Sequence, residues 1–382
     1  MIQLIERTTD VVTGSPNLED LHTLSAFPIF MGTTDQARSN DLTADMSWSI
    51  SRDSGLIQLK HLLPLDLLYQ AQTTTSAVGP TWMAHHRAFA EFLRAYSPRS
   101  VLELGGAHGI LSVEYHQRVG QIQIPWTILE PNPAPVEGCR ARFLKGFFDE
   151  ECRLDEDYDV LVHSHVFEHL YEPAQFMARL CQFMAPGQIM VFSVPDLYEW
   201  LKRKFTNCIN FEHTVFLTEP YVDELLARYG FRTLEKRHVM DGHSIFYAAM
   251  RDDAIESSGL SHDLYAQNRR LYEEFVEYYQ TLTHEINAKV DAWEGEVFLF
   301  GAHVFAQYLI AFGLDTRRIR CILDNDSRKQ GRRLYGTDLI VATPEILAGL
   351  ENAAVILKAG IYNEEIRNGI RARINDSIEY FE

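Results

Sequence analysis

Cysteine is sparse in this 382-residue chain, and the five residues, at 139, 152, 181, 208 and 321, form no Cys-x-x-Cys pair. That spacing excludes a local metal knuckle or dithiol redox motif and predicts free thiols in a reducing compartment. Long apolar runs are also lacking, none reaching the ~20 residues that a membrane-spanning helix requires. No secretory leader, solenoid period or low-complexity tract is recognisable, and a cytoplasmic location is the expectation. Positive charge is in deficit, with 35 Lys and Arg against 53 Asp and Glu for a net charge of −18 at pH 7. Such a balance excludes broad binding to nucleic acid or to an anionic membrane, so an anionic substrate has to be met by a local basic cluster. Nothing in the composition sets an oligomeric state.

Hydrophobic content, at 46%, is sufficient for a large core, and the length suits two or three domains. Residues 1–74 mix turn formers with short apolar runs such as Ser47–Ile50 and Leu56–Leu59, which predicts a small β-rich lobe. Between Thr81 and Leu93, Trp82, Phe89, Phe92 and Leu93 recur at helical spacing before Pro98 breaks the chain. The centre of the sequence is Val101-Leu102-Glu103-Leu104-Gly105-Gly106-Ala107-His108-Gly109-Ile110, an apolar strand running into a glycine turn and then a helix. Gly105, Gly106 and Gly109 permit a tight turn and close backbone approach to a ligand, with helix N–H groups beyond. Ala107 occupies the middle glycine position of the dinucleotide consensus, so an ordinary strand-to-helix turn is an equally open reading of these residues alone.

Further strands are expected at Trp126–Leu129, Asp159–Val162 and Ile189–Phe192 with helical segments between, an α/β alternation that implies a mainly parallel sheet. Such sheets bind ligands at the carboxyl ends of their strands. The glycine turn, Glu130, Ser164-His165 and Val194-Pro195-Asp196 all fall there. Glu130 lies about twenty residues past Gly109, the spacing at which an acid can accept hydrogen bonds from ribose hydroxyls. A solvated loop carboxylate is the alternative. Residues 262–290 read as one long helix with Leu264, Leu271, Phe275, Tyr278, Leu282, Ile286 and Val290 on its apolar face. Val297–Gly301 and Arg320–Asp324 then read as a second β-α-β unit, near which Arg317, Arg318, Arg320, Arg328, Lys329, Arg332 and Arg333 concentrate positive charge, either for a diphosphate or as a solvated surface.

Taken together, Glu103-Leu104-Gly105-Gly106-Ala107-His108-Gly109, Glu130-Pro131-Asn132 and Asp159–His169 resemble class I S-adenosylmethionine-dependent methyltransferases over residues 75–250. A closer likeness, extending into both flanks, is to the C-methyltransferases of nucleotide-linked keto-deoxysugars. It is carried by Thr75-Ser76-Ala77-Val78-Gly79-Pro80-Thr81-Trp82, with Gln72 and Thr74 in place of the usual tyrosines, and by Asn210-Phe211-Glu212-His213, with Asn210 in place of another. Gly301-Ala302-His303 and Ile322-Leu323-Asp324-Asn325-Asp326 fit that family's second α/β domain. The resemblance implies a Rossmann-like methyltransferase domain at 75–255, a bridging helix at 256–294 and a Rossmann-like C-terminal domain at 295–382 with possible nucleotide binding. That domain and the core would share a pocket. It also implies a former zinc lobe at 1–74, because Ser51 and Ser54 stand where that family has cysteines. A hydroxyl is a poor zinc ligand, so no metal is expected and hydrophobic packing is expected to hold the lobe.

On this resemblance S-adenosylmethionine is the cofactor, contacted by Glu103, Gly105, Gly106, Gly109, Glu130, Pro131, Ser164 and His165. His213 is the implied base, taking a proton from the carbon beside a ketone to give an enolate that attacks the donor methyl, with Glu212 orienting or charging it. Glu168-His169 occupies a position that is usually structural, and His243 suits either a pocket or a strand turn. The implied partner is a nucleotide-linked sugar. O-methylation of a sugar or other small metabolite, and a non-catalytic binding protein on the same scaffold, stand as alternatives.

Overall fold

The computed structural model describes residues 2–68, 79–120, 123–149, 152 and 158–382. The Thr75–Val78 part of the resemblance, with Gln72, Thr74 and the 74/75 boundary, lies outside the described residues. In the N-terminal lobe, β1 (Leu18–Pro28), β2 (Thr43–Ser51) and β3 (Ile57–Leu59) form an antiparallel three-stranded sheet. Helix α1 (Pro80–Arg94) starts with proline in its first turn, where a missing N–H costs nothing, and buries Phe89, Phe92 and Leu93.

The central sheet is built from β4 (Val101–Leu104), β5 (Trp126–Glu130), β6 (Arg142–Lys145), β7 (Val160–Ser164), β8 (Ile189–Pro195), β9 (Phe231–Val239) and β10 (Ser244–Arg251). Its order is β9-β10-β8-β7-β4-β5-β6, parallel except for β10, which runs antiparallel to both neighbours. All of β4 is buried, as a strand covered on both faces requires. Helices α2 (Ile110–Val119), α3 (Pro173–Phe183), α4 (Leu197–Lys202) and α5 (Glu219–Arg228) complete the layers. After β5 and β6 the chain crosses to the other side of β4 to form β7, so the crevice beyond β4 and β7 is the topological switch point, the expected ligand position in an open α/β sheet.

Helix α6 (Leu264–Ala292) follows, then an all-parallel sheet of β11 (Glu296–Phe300), β12 (Ile319–Leu323), β13 (Val341–Ala342), β14 (Ala353–Leu357) and β15 (Glu379–Phe381) in the order β13-β12-β11-β14-β15, with helices α7 (Val304–Ala311) and α8 (Asn363–Arg373). The expected face of α6 needs one correction. Tyr272 and Tyr279 are buried, whereas Tyr278 is only partly covered and accepts a hydrogen bond from Lys358 at the edge. One apolar cluster runs from the lobe (Phe27, Trp48) through α6 (Phe275, Ile286) to the C-terminal sheet (Leu299, Ile322). A buried ion pair, Arg333 to Asp41 at 2.6 Å, ties that sheet's loop to the lobe.

Where the resemblance puts cysteine ligands, the structure has a buried polar network. The Ser54 hydroxyl donates to Asp10, whose other oxygen accepts the amides of Val12 (2.8 Å) and Thr13 (3.0 Å). Tyr221 of α5 donates to the Ser54 carbonyl at 2.9 Å and Asn268 of α6 to the Gly55 carbonyl at 2.9 Å. The lobe is therefore held by hydrogen bonds to both neighbours as well as by the expected apolar packing.

Candidate functional site

Beyond Leu104 the chain turns at Gly105 with φ +71°, a conformation that favours glycine. Gly106 is required by space. A Cβ there would lie 2.7 Å from both Glu103 Cδ and Ile128 Cγ2. The Ala107 amide then donates to Glu130 Oε2 at 3.0 Å, while the Asn132 amide donates to Oε1 at 2.9 Å. Glu130, at the end of β5, thus fastens the glycine turn to its own turn. The C-terminal unit repeats this device, with the Ala302 amide donating to Asp324 Oδ2 at 2.9 Å.

These turns open a cleft of about 300 Å³ lined by Gly105, Ala107, Glu130, Pro131, Phe147 and His165, among others. Phe147 keeps 47% of its surface exposed at the cleft. Gly105, Ala107, His165, His169 and Glu212 also wall a second chamber of about 280 Å³, into which Glu103, Gly106, Ser164, His213 and His303 face. A third space of about 210 Å³, sharing Trp82, Trp200, Phe305 and Tyr362 with the second, is lined by His243. The second chamber draws walls from the lobe (Met31), the central sheet and the C-terminal unit (His303, Phe305), so the shared pocket is present.

Of the predicted cofactor residues, Gly105, Glu130, Pro131 and His165 line the cleft and Glu103, Gly106 and Ser164 the chamber beside it. Gly109 lines neither. It opens α2 with φ +70°, and a Cβ on it would press on Cys139 Sγ at 2.5 Å, so packing and backbone shape explain that glycine. His165 closes β7 with φ +53°, a strained setting for a non-glycine residue. Its ring is held by Ser244 Oγ at 3.0 Å on Nε2, with Glu168 Oε1 3.2 Å from Nδ1.

His213 packs edge-to-face on His169, with ring centroids 4.8 Å apart. The Glu168 carboxylate, brought close by the fold, acts electrostatically on His213. Glu212 walls both spaces. Burial holds His213, His165 and His169 below the usual imidazole range, His169 at about 4, and neighbouring imidazoles lower the last two further, while Glu168 opposes the shift at His213 and His169. These rings are neutral at pH 7, with lone pairs available.

Asn210 was legible only as a lost tyrosine. Its Oδ1 accepts the amides of Glu212 (2.8 Å) and His213 (3.0 Å), an Asx turn that sets both residues at the chamber wall. An Asn two residues before Glu-His is the local signal that reveals it. The basic run behaves as a set of local pairs. Arg317, Arg320, Arg328, Lys329 and Arg333 bind Asp315, Glu296, Asp326, Asp324 and Asp41, Arg318 donates to the Trp293 carbonyl at 2.6 Å, and none of them lines these three spaces.

Residues 82–236 match the family model described as a methyltransferase domain. A protein of Mycolicibacterium smegmatis named "Probable S-adenosylmethionine-dependent methyltransferase" is 27% identical over 170 residues, 42% of this chain and 63% of its own length. The chain therefore spans less than two thirds of that relative. A crystal structure of a Pyrococcus horikoshii protein aligns at 16% identity and TM-score 0.38, covering 50% of this chain and all of that one. The magnesium protoporphyrin IX methyltransferase of Synechocystis, solved with S-adenosylhomocysteine, aligns at 15% identity and TM-score 0.35 over 44% of this chain and 83% of its own. Residues 82–236 form a Rossmann-like class I methyltransferase domain, the type that takes S-adenosylmethionine as cofactor.

Proposed function

We propose that the chain transfers the methyl group of S-adenosylmethionine to a small acceptor bound in the second chamber, the leading candidate being a nucleotide-linked keto-sugar methylated on carbon. The observation that carries this reading is the adjacency of two spaces, a cleft bounded by Gly105 and Glu130 and a chamber bounded by His213, which share wall residues such as His165 and Glu212. In the cleft, the ribose hydroxyls would donate to Glu130, the adenine would cover Phe147, and the methionine part would lie along Gly105–Ala107. The sulfonium methyl would then point into the chamber.

An acceptor there loses a proton as its nucleophilic atom attacks the methyl carbon. The S–CH₃ bond breaks and its electron pair stays on sulfur, giving S-adenosylhomocysteine. His213 suits proton uptake because burial keeps its imidazole neutral, and Glu168 beside it would stabilise the imidazolium that forms. Walls from three parts of the chain surround the chamber and would shield a bound acceptor from part of the solvent.

Incubation with ¹³C-methyl S-adenosylmethionine and a panel of nucleotide sugars, read by product NMR, tests this. A C–CH₃ resonance supports carbon methylation and an O–CH₃ resonance overturns it in favour of oxygen. Release of S-adenosylhomocysteine with no acceptor of any class would remove the methyltransferase reading.

A further inference from the structure

We propose that Glu168, His169 and His213 form a binding site for a divalent transition-metal ion in the wall of the acceptor chamber. One ligand atom from each residue lies within 4.8 Å of the other two. Glu168 is 1% exposed, and neither of its carboxylate oxygens has a hydrogen-bond partner. Nδ1 of His169 and Nδ1 of His213 are buried without partners as well. A buried carboxylate with open lone pairs beside two imidazoles with open lone pairs is a donor set without a counterion, and burial of unsatisfied groups of this kind is unfavourable unless something completes them.

Local structure explains how the three meet. A single 3₁₀ turn, Phe167–His169, follows the strained His165 and presents Glu168 and His169 together, and the Asx turn of Asn210 brings His213 from the other side. Glu168 Oε1 lies 4.0 Å from His169 Nε2, so the ring would coordinate through that nitrogen only in the tautomer that carries its proton on Nδ1. Bonds of about 2.0–2.2 Å to one ion require contraction on the order of an ångström. Two imidazoles and one carboxylate select a borderline ion such as zinc, cobalt, nickel, iron or manganese over magnesium or calcium, which prefer all-oxygen shells. His165 Nδ1 lies 3.2 Å from Glu168 Oε1, a close approach that is not a hydrogen bond.

All three ligands line the second chamber, so the remaining coordination positions face the place proposed for the acceptor. A carbonyl or hydroxyl oxygen of the acceptor would complete the shell and become more acidic, or more enolisable, for it. His213 then serves as ligand in place of base. This consequence rests on the methyltransferase reading, whereas the presence of the ion does not.

The test uses the untagged full-length chain, stripped with chelator, reloaded with cobalt(II) or zinc(II) and dialysed. Metal content and the visible absorption of cobalt are measured, and S-adenosylhomocysteine is titrated into the same preparations by calorimetry. The expected result is about one ion per chain with a visible cobalt spectrum, and at least roughly tenfold weaker metal binding in Glu168→Gln and in His213→Gln. Substoichiometric cobalt in the wild-type chain, or equal uptake by wild type and both variants, overturns the proposal. The wild-type measurement decides even if a variant fails to fold. Stoichiometric metal without S-adenosylhomocysteine binding would instead remove the methyltransferase reading, and the reverse outcome returns His213 to the role of base.

Discussion

The indole N–H of Trp126 donates a 2.7 Å hydrogen bond to the carboxylate of Glu103, a residue 3% exposed at the end of the strand that leads into the glycine turn. Burial pushes this carboxyl up to about 7, the Trp126 bond opposes that, and the nearby Glu130 reinforces it. Glu103 therefore holds its proton to higher pH than an ordinary carboxyl, facing the chamber beside the cofactor cleft.

A pH dependence follows. Because the folded-state value lies above the unfolded one, the folded chain binds more protons between about pH 4.5 and pH 7, and its stability falls as pH rises through that window, by at most ~1.4 kcal/mol per unit from this group. Denaturant titrations across the window should show the slope, flattened in Glu103→Gln. A cationic cofactor favours the carboxylate, so binding of S-adenosylmethionine at pH 7 should release a proton, seen as a buffer-dependent calorimetric enthalpy. Identical enthalpies in phosphate and Tris would show that Glu103 does not respond to the ligand.

Glu130→Gln replaces one accepting oxygen by an amide NH₂, which then faces the N–H of Ala107 or of Asn132. One buried acceptor lost and two donors opposed cost about 1–3 kcal/mol, so S-adenosylhomocysteine should bind roughly 5- to 150-fold more weakly. An affinity within twofold of wild type would remove Glu130 from the cofactor site.

Asn210→Ala leaves the amides of Glu212 and His213 without their acceptor. Turnover should fall about tenfold or more while S-adenosylhomocysteine still binds, and Asn210→Asp, which keeps an accepting oxygen, should recover most of it. Equal losses in both variants would point to a general packing defect and not to the turn.

The lobe supplies a stability test. Ser54→Ala removes the hydroxyl that donates to the buried Asp10, and should lower stability by about 1–3 kcal/mol with cofactor affinity unchanged. An unaltered unfolding midpoint would mean that apolar packing alone holds the lobe.

Much of this arrangement was legible in the residues themselves. The buried strands Val101–Leu104, Trp126–Glu130 and Ile189–Pro195 are mostly apolar segments bounded by turn formers, and the position of Gly105 and Glu130 at the cleft follows from their strand-end places. For Gly109 the residues alone could not separate packing from ligand contact, because a glycine needed for packing against Cys139 carries the same letter as one needed by a ligand. The Glu168–His213 pairing was out of reach for a different reason, since those residues are far apart in sequence and meet only through the fold. Of the two readings of the basic run, the structure favours the surface, because most of its charges have acidic partners fixed by a tight turn or a neighbouring strand, such as Asp326 for Arg328 and Glu296 for Arg320.

Calorimetric titration of S-adenosylhomocysteine into the wild-type chain bears most directly on the site as a whole. The prediction is saturable binding of about one equivalent per chain, weakened in Glu130→Gln as above. Absence of saturable binding to a folded wild-type chain would contradict the cleft between Gly105 and Glu130 as a cofactor site, and with it the proposed methyl transfer.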